Sequence, residues 1–357
     1  MSVERRSDGK TVRWRVRWRT EGGQRSRVFD LKRDADAFDR DMRRRAMLGA
    51  HAPAEPPPTP LVQWIRHWWD RDSIAWARST RLQRAAILDR WIIPWIGNVR
   101  LRDLGPARVR DWRAEITRSG CPPTSANHAL SILSATLGAA VGDGLLPANP
   151  CSPVRKLPIT VQRPRALTPI EVERLRDQMP TMRDAVLVSL LAYAGLRPGE
   201  ALALTWESVG NVLVIDRSFT LGEMKSTKTN RRRTVEVVEP LAADLDAFRR
   251  FGGVGADLVC AGLHGQPLDL HNWTARVWKP ACKQIGLIAV PYDGRHTYAS
   301  LLIHEGRSTA YVAAALGHAS ATTTLHHYAH LFDEARLQTG ITMTQAIRDA
   351  RAELARS

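Results

Sequence analysis

No apolar run in this chain is long enough to cross a bilayer as a helix. The first residues are rich in arginine and lack the apolar core of an export signal, which predicts no secretory targeting. Cysteine is scarce. Cys121, Cys151, Cys260 and Cys282 lie far apart, and no Cys-x-x-Cys pair exists. That spacing argues against a zinc site or a disulfide framework and predicts reduced thiols in a cytoplasmic protein. No carboxylate cluster of the kind that holds metal ions in two-metal nucleases is visible, and there is no internal repeat. Acidic residues are the minority, 36 Asp and Glu against 52 Lys and Arg, for a net charge of +16. A surface this basic, in a chain without membrane features, points to nucleic acid as its partner.

At 357 residues the chain exceeds one ordinary core, and 44% hydrophobic residues suffice for two or three packed domains. Residues 1–50 read as a separate module with fifteen Lys and Arg against eight Asp and Glu. Within it, residues 11–19 alternate strictly. A strand there puts Val12, Trp14, Val16 and Trp18 on one face and Arg13, Arg15, Arg17 and Arg19 on the other. Glu21-Gly22-Gly23 predicts a turn, Arg25 to Phe29 a returning strand, and Leu31, Ala35, Phe38 and Met42 a helix that Gly49 stops. The arginine face suits a phosphate backbone or a major groove, which admits a β-ribbon; the competing reading is a solvated charged face.

His51 to Pro60 is proline-rich and predicts a stiff linker. Residues 61–158 read as all helical. Trp64, Ile65, Trp68 and Trp69 mark a first helix, and Ser79-Thr80 predicts the cap of a second carrying Leu82, Ala86, Trp91 and Ile92. Pro106 starts a third with Val109, Trp112 and Ile116 inward, and Thr124-Ser125 predicts the cap of a fourth. Arg78, Arg81, Arg84 and Arg90 lie on or near the second helix, where they either meet a DNA backbone or form a solvated face. Arg163-Pro164-Arg165 predicts a hinge, and Thr168-Pro169-Ile170-Glu171 a capping box that opens the last domain. Strands are expected at Val212–Ile215 and Thr234–Val237, with the turn between them over Lys225–Arg233. The rest is mainly helical, so the fold class is multidomain and mainly α with small β elements.

The chemistry-bearing residues lie in this last domain. In order they are Arg197 in Gly195-Leu196-Arg197-Pro198-Gly199-Glu200, Lys228 in the basic turn, Arg295 in Tyr292-Asp293-Gly294-Arg295-His296-Thr297, His318 in Leu316-Gly317-His318, and Tyr328. A phosphodiester in transfer carries spread negative charge, so catalysis is largely positioning and electrostatic stabilisation. Arginine supplies a planar, permanently charged fork for it. Glu200, three residues after Arg197, either holds that arginine in one rotamer or serves only as a first-turn dipole residue. Tyr328 supplies a nucleophile whose phenol has a pKa of about 10 and so needs a base or a positive field. A phosphotyrosine bond conserves the energy of the broken linkage, so resealing needs no ATP. Lys228 can protonate the departing 5′ oxygen, with Lys225 as its competitor.

The boxes in this order resemble the tyrosine recombinases of the phage integrase family, and the resemblance runs over essentially the whole chain. It implies an arm-type DNA-binding domain at 1–50, a linker at 51–60, a helical core-binding domain at 61–158, a catalytic domain at 164–345 and a tail at 346–357. Counting back from Arg233-Thr234-Val235-Glu236 matches the family's hairpin lysine to Lys228. One box departs from the pattern. The family writes it His-x-x-Arg, and Tyr292 stands at the histidine position. In the family that histidine contacts the phosphate and helps deprotonate the nucleophile; a tyrosine can donate a hydrogen bond but is a poor base. Either the positive field activates Tyr328, or His296 or His318 substitutes, or the enzyme is slow. Otherwise His296, His326, His327 and His330 are expected at surface or cap positions.

The resemblance implies a site-specific recombinase that needs no cofactor and no metal. It would act on double-stranded DNA attachment sites as a homotetramer, with an excisionase and a host DNA-bending protein as further partners, in the cytoplasm on the nucleoid. The segment after the nucleophile, residues 336–357, would dock on a neighbouring protomer or fold back in cis. Rival expectations are a type IB topoisomerase-like relaxing enzyme and a DNA-binding regulator on an inactivated scaffold, the latter motivated by Tyr292.

Overall fold

The structure, a computed structural model, describes residues 2–7, 12–20, 23–47, 59–159, 165–226, 232–251, 257–318, 320–335 and 340–356. Glu21-Gly22, Gly49, most of the proline-rich linker, Arg163-Pro164 and Lys228 lie outside the described residues. The chain divides into two compact units, Met1–Thr160 and Val161–Ser357.

The first unit opens with a three-stranded antiparallel sheet, β1 (Ser2–Ser7), β2 (Val12–Thr20) and β3 (Gly23–Phe29), with β2 central. The alternation of β2 shows in part. Val16 is fully buried and Arg13 exposed, while Trp14 and Trp18 on one face and Arg15 and Arg17 on the other are all half-buried. Helix α1 (Lys32–Met47) covers the apolar face, with Ala35 and Met42 buried and the Phe38 ring 5.2 Å from that of Trp18. The sequence reading had two strands here. The third, β1, carries Glu4, which pairs with Arg17 at 3.2 Å, while Asp30 pairs with Arg13 at 3.4 Å. The arginine face therefore brings some acidic partners of its own.

The helices that follow are α2 (Leu61–Asp72), α3 (Arg78–Ile87), the short α4 (Ile93–Ile96), α5 (Pro106–Arg118) and α6 (Pro123–Gly142). Their core is Trp64, Trp68, Leu88, Ile92, Val109, Trp112, Ile116, Leu133 and Leu137. The buried indoles are satisfied: Trp64 donates to the Thr136 carbonyl at 2.8 Å and Trp112 to that of Trp91 at 2.8 Å. Two expected caps are displaced. Helix α3 starts after Ala77 and α6 after Pro122, neither with a side-chain cap, so Ser79-Thr80 and Thr124-Ser125 lie inside the first turns. Ala77 and Pro122, the residues ahead of these helices, are both exposed. Between α3 and α4, Leu88–Ile92 widens into a π turn, and Leu82 is exposed.

The second unit holds α7 (Pro169–Asp177), α8 (Met182–Tyr193), α9 (Pro198–Ala201), β4 (Val212–Ile215), β5 (Arg217–Thr220), β6 (Glu223–Ser226), β7 (Arg233–Glu236), α10 (Glu239–Phe251), α11 (Leu270–Trp273), α12 (Lys279–Gln284), α13 (Asp293–His304), α14 (Thr309–Leu316), α15 (Ala321–Ala335) and α16 (Met343–Leu354). The Thr168 capping box forms, with its hydroxyl accepting from the Glu171 amide. Strands β4 and β7 pair antiparallel as expected. The segment between them differs: β5 and β6 form a second hairpin around Leu221-Gly222, both at positive φ, so Lys225 lies in a strand and pairs with Glu223 at 2.7 Å. The tail expected from 346 is instead part of α16, folded in cis. Met343, Ile347 and Ala350 are buried, and Arg351 pairs with Glu173 and Asp244.

Candidate active site

The site is built around the carboxyl-terminal end of α14. The last carbonyls of any helix lack intrahelical partners and carry the negative end of its dipole. Here three arginines from three other elements meet three consecutive carbonyls. Arg233 Nε donates to Ala315 O at 2.9 Å, an Arg295 guanidinium nitrogen donates to Leu316 O, and Arg197 Nη2 donates to Gly317 O at 3.4 Å. Gly317 ends α14 at φ +63°, a conformation that favours glycine, and a Cβ there would lie 2.9 Å from Arg233 Cδ.

Each arginine is placed by its own element. Arg197 precedes α9, and Glu200 returns one oxygen to its amide at 2.8 Å and the other to its Nη1 at 2.8 Å. Arg233, on the same face of β7 as buried Val235, grips the same carboxylate with both terminal nitrogens, at 2.9 and 2.7 Å. Burial alone would raise the Glu200 carboxyl; Arg233 and then Arg197 outweigh it and hold it at about 2. Glu200 thus remains an anion bridging two cations.

Arg295 sits in the first turn of α13 with 1% of its surface exposed. It also donates to Gly195 O at 2.7 Å. Gly195, at φ +62°, has no room for a Cβ against the Tyr298 ring. Burial, and then repulsion from Arg197, lowers the Arg295 guanidinium to about 10, so it stays charged. Helix α13 can press on α8 because Gly294 lacks a side chain: a Cβ there would lie 2.9 Å from Leu191 Cβ.

His318 follows α14, and its Nδ1 lies 2.8 Å from the buried Thr324 hydroxyl. Burial, and then the Arg295 and Arg197 charges, pushes the His318 imidazole down to about 4. Tyr328, on α15, is buried to 3% exposure, and its hydroxyl lies 2.5 Å from His296 Nδ1. Burial raises its phenol, Arg295 opposes the rise, and the balance is upward. Tyr292 is 41% exposed, with its ring 5.3 Å from that of His296.

The structure thus brings together Arg197, Glu200, Arg295, His318 and Tyr328, with Tyr292 at the margin. One residue of this site was not anticipated from the sequence. Arg233 served there only as a counting landmark, although its parity with Val235 places it inward. His296 was expected either to substitute as the base for Tyr328 or to lie at a surface or cap position. It is half-buried, with its Nδ1 2.5 Å from the Tyr328 hydroxyl, which favours the first of these. Of the residues expected to touch DNA, Arg13 and Arg81 are exposed, Arg15 and Arg17 are half-buried, and the Arg19 side chain lies outside the described ones. Arg84 stacks over the Trp76 ring at 4.1 Å. Among the described residues no helix is long and apolar enough to cross a membrane, and no group of three or more His, Cys, Asp or Glu is arranged to hold a metal ion.

Residues 165–335 match the model of the phage integrase family. The ICEBs1 integrase of Bacillus subtilis (strain 168) is 26% identical over 248 residues, covering 63% of this chain and 66% of that protein, just under two thirds of its length. The integrase of Mycobacterium phage L5 is 26% identical over 360 residues, covering 92% of this chain and 91% of that protein. Among solved structures, a lambda integrase tetramer bound to a Holliday junction superposes with a TM-score of 0.63 at 16% identity, covering 90% of this chain and 96% of that one.

Proposed function

Since the chain belongs, through residues 165–335, to the phage integrase family of tyrosine recombinases, we propose that it is a site-specific DNA recombinase that integrates or excises a phage or other mobile element. The observation that carries this reading is the meeting of Arg197, Arg233 and Arg295 on the end of α14, beside a buried tyrosine. Arg197 and Arg295 keep donors beyond their anchoring bonds for the non-bridging oxygens of a scissile phosphate. Glu200 and Arg233 hold Arg197 in place, which removes reorganisation from the moment of reaction. Tyr328 attacks phosphorus, the 5′ oxygen departs with a proton from Lys228, and a 3′-phosphotyrosyl link remains. Attack by a 5′ hydroxyl from the partner duplex reseals the strand. His318 donates to the phosphate, and Tyr292, which is 41% exposed, is a further phosphate contact.

The substrate in this reading is a pair of double-stranded attachment sites held by four protomers, as lambda integrase is on its Holliday junction. Arg13, Arg15, Arg17 and Arg19, with Arg81 and Arg84, contribute phosphate contacts. An excisionase and a host DNA-bending protein complete the partners, and the work is done on the nucleoid in the cytoplasm. The tyrosine at position 292 favours one second reading, a DNA-binding regulator on an inactive scaffold.

The test is strand exchange between two labelled duplexes spanning the chromosomal junctions of the element that carries the gene. Recombinant duplexes that require Tyr328 support the reading. Supercoil relaxation without exchange would favour a topoisomerase-like enzyme, and biological activity intact in Tyr328→Phe would favour the regulator.

A further inference from the structure

The reaction proposed above, on which this inference rests, needs an acceptor for the Tyr328 proton. Four groups near the phenol compete for that role. Tyr292 is itself a phenol and a poor base. His318 has its Nδ1 engaged by Thr324. His327 precedes Tyr328 on the same helix, and adjacent helical residues do not face each other; their rings are 6.2 Å apart. Among the described residues, His296 is the histidine with a ring nitrogen within hydrogen-bond reach of the hydroxyl, 2.5 Å from it.

Its position in the sequence has a structural logic. Tyr292 and His296 are four residues apart at the start of α13, so they share one helix face, and their rings touch. We propose that His296 is the general base for Tyr328, an imidazole placed one helical turn beyond the position where the family carries its histidine. As the Tyr328 Oη–phosphorus bond forms and the phosphorus–O5′ bond breaks, the phenolic proton passes to His296 Nδ1. The 5′ oxygen leaves as a hydroxyl with the proton of the general acid. On resealing both protons return, and Tyr328 leaves as a neutral phenol.

The surroundings fit. A base must be neutral before it acts, and burial, then His327, then Arg295 hold the His296 imidazolium down at about 4. The ring is therefore neutral at neutral pH, and the tautomer with its proton on Nε2 leaves the Nδ1 lone pair for the Tyr328 hydroxyl. The groups facing the imidazole are Arg295 and Tyr292 from α13, and His327 and Tyr328 from α15. A phosphate bound at Arg295 offsets the cation that disfavours imidazolium, so the base strengthens only when substrate is present.

The experiment measures cleavage of nicked junction duplexes by wild type, His296→Gln, His296→Ala and, as a blank, Tyr328→Phe. Mobility shift verifies that each variant binds the DNA. The expected results are a loss of roughly a hundredfold or more in His296→Gln and rescue of His296→Ala by added imidazole, with no gain for wild type. The residual rate of His296→Gln should rise by about tenfold per pH unit as hydroxide replaces the base, while wild type stays flat across neutral pH. An unchanged rate in His296→Gln, or a DNA-binding His296→Ala that imidazole does not rescue, overturns the inference. Wild type that forms no adduct overturns the recombinase reading itself, a result the variants do not mimic.

Discussion

The arginines of β2 and those around the end of α14 share a side chain and little else. Arg13 and Arg17 keep 57% and 38% of their side-chain surface in solvent, and each meets one exposed carboxylate. Such pairs contribute little, because water and salt screen them. Arg233 and Arg295 are nearly out of solvent, with two or more fixed acceptors each. Desolvating a cation is costly, and these hydrogen bonds are what offset it. The exposed set can follow a backbone of variable position; the buried set can serve only one geometry. For the proposed recombinase, the first property suits searching along DNA and the second suits chemistry.

Substitutions that blur this contrast sharpen it. The largest effect is expected for Arg295→Lys, which keeps the charge but cannot reach both Gly195 O and Leu316 O. Cleavage per bound complex should fall roughly a thousandfold with DNA binding retained; a loss under tenfold would mean that charge alone suffices. Next is Glu200→Gln, which leaves Arg197 and Arg233 without their shared anion. Thermal or denaturant unfolding should show a loss of about 3 kcal/mol at neutral pH. The sign with pH follows from the depressed carboxyl. Glu200 sits at about 2 when folded and near its ordinary 4.5 when unfolded, so its contribution is complete above the higher value and disappears as pH falls toward the lower. The two proteins should therefore converge in stability on acidification; a constant gap would contradict the ion-pair account. Tyr292→Phe removes only the hydroxyl and keeps the ring on His296, and the cleavage rate should drop severalfold; no change would make Tyr292 a packing residue. The smallest effects belong to Arg13→Ala and Arg81→Ala. Each should weaken DNA binding a few-fold and lower the salt slope by about 1, with cleavage of bound DNA unaltered.

The contrast also explains what could be read in the sequence. Arg197, Arg295, His318 and Tyr328 stand in motifs whose residue types and order suit phosphoryl transfer, so they were candidates before any fold. The helices with strong period, such as Val109, Trp112 and Ile116 on α5, were legible for the same reason. Arg233 was not, because its significance comes from a contact with a residue 82 positions away. His296 was one of several candidates for the base, and only its contact with Tyr328, 32 positions away, singles it out. The β5–β6 hairpin was missed because its turn is Leu221-Gly222 rather than an Asn-Gly pair, with leucine taking a positive φ that its type rarely adopts. The caps at Ala77 and Pro122 escaped because no side chain makes them. Whether residues beyond Tyr328 pack in cis or in trans is a choice between equivalent contacts in one chain or two; in this structure α16 packs in cis.

The most direct test of the account is covalent trapping. Wild type and Tyr328→Phe are incubated with nicked junction duplexes, and the adducts are resolved under denaturing conditions and mapped by mass spectrometry. The account predicts a 3′-phosphate linked to Tyr328 in wild type and no adduct in the variant. Duplexes that are bound without any adduct, or an adduct mapped to another residue, would contradict it.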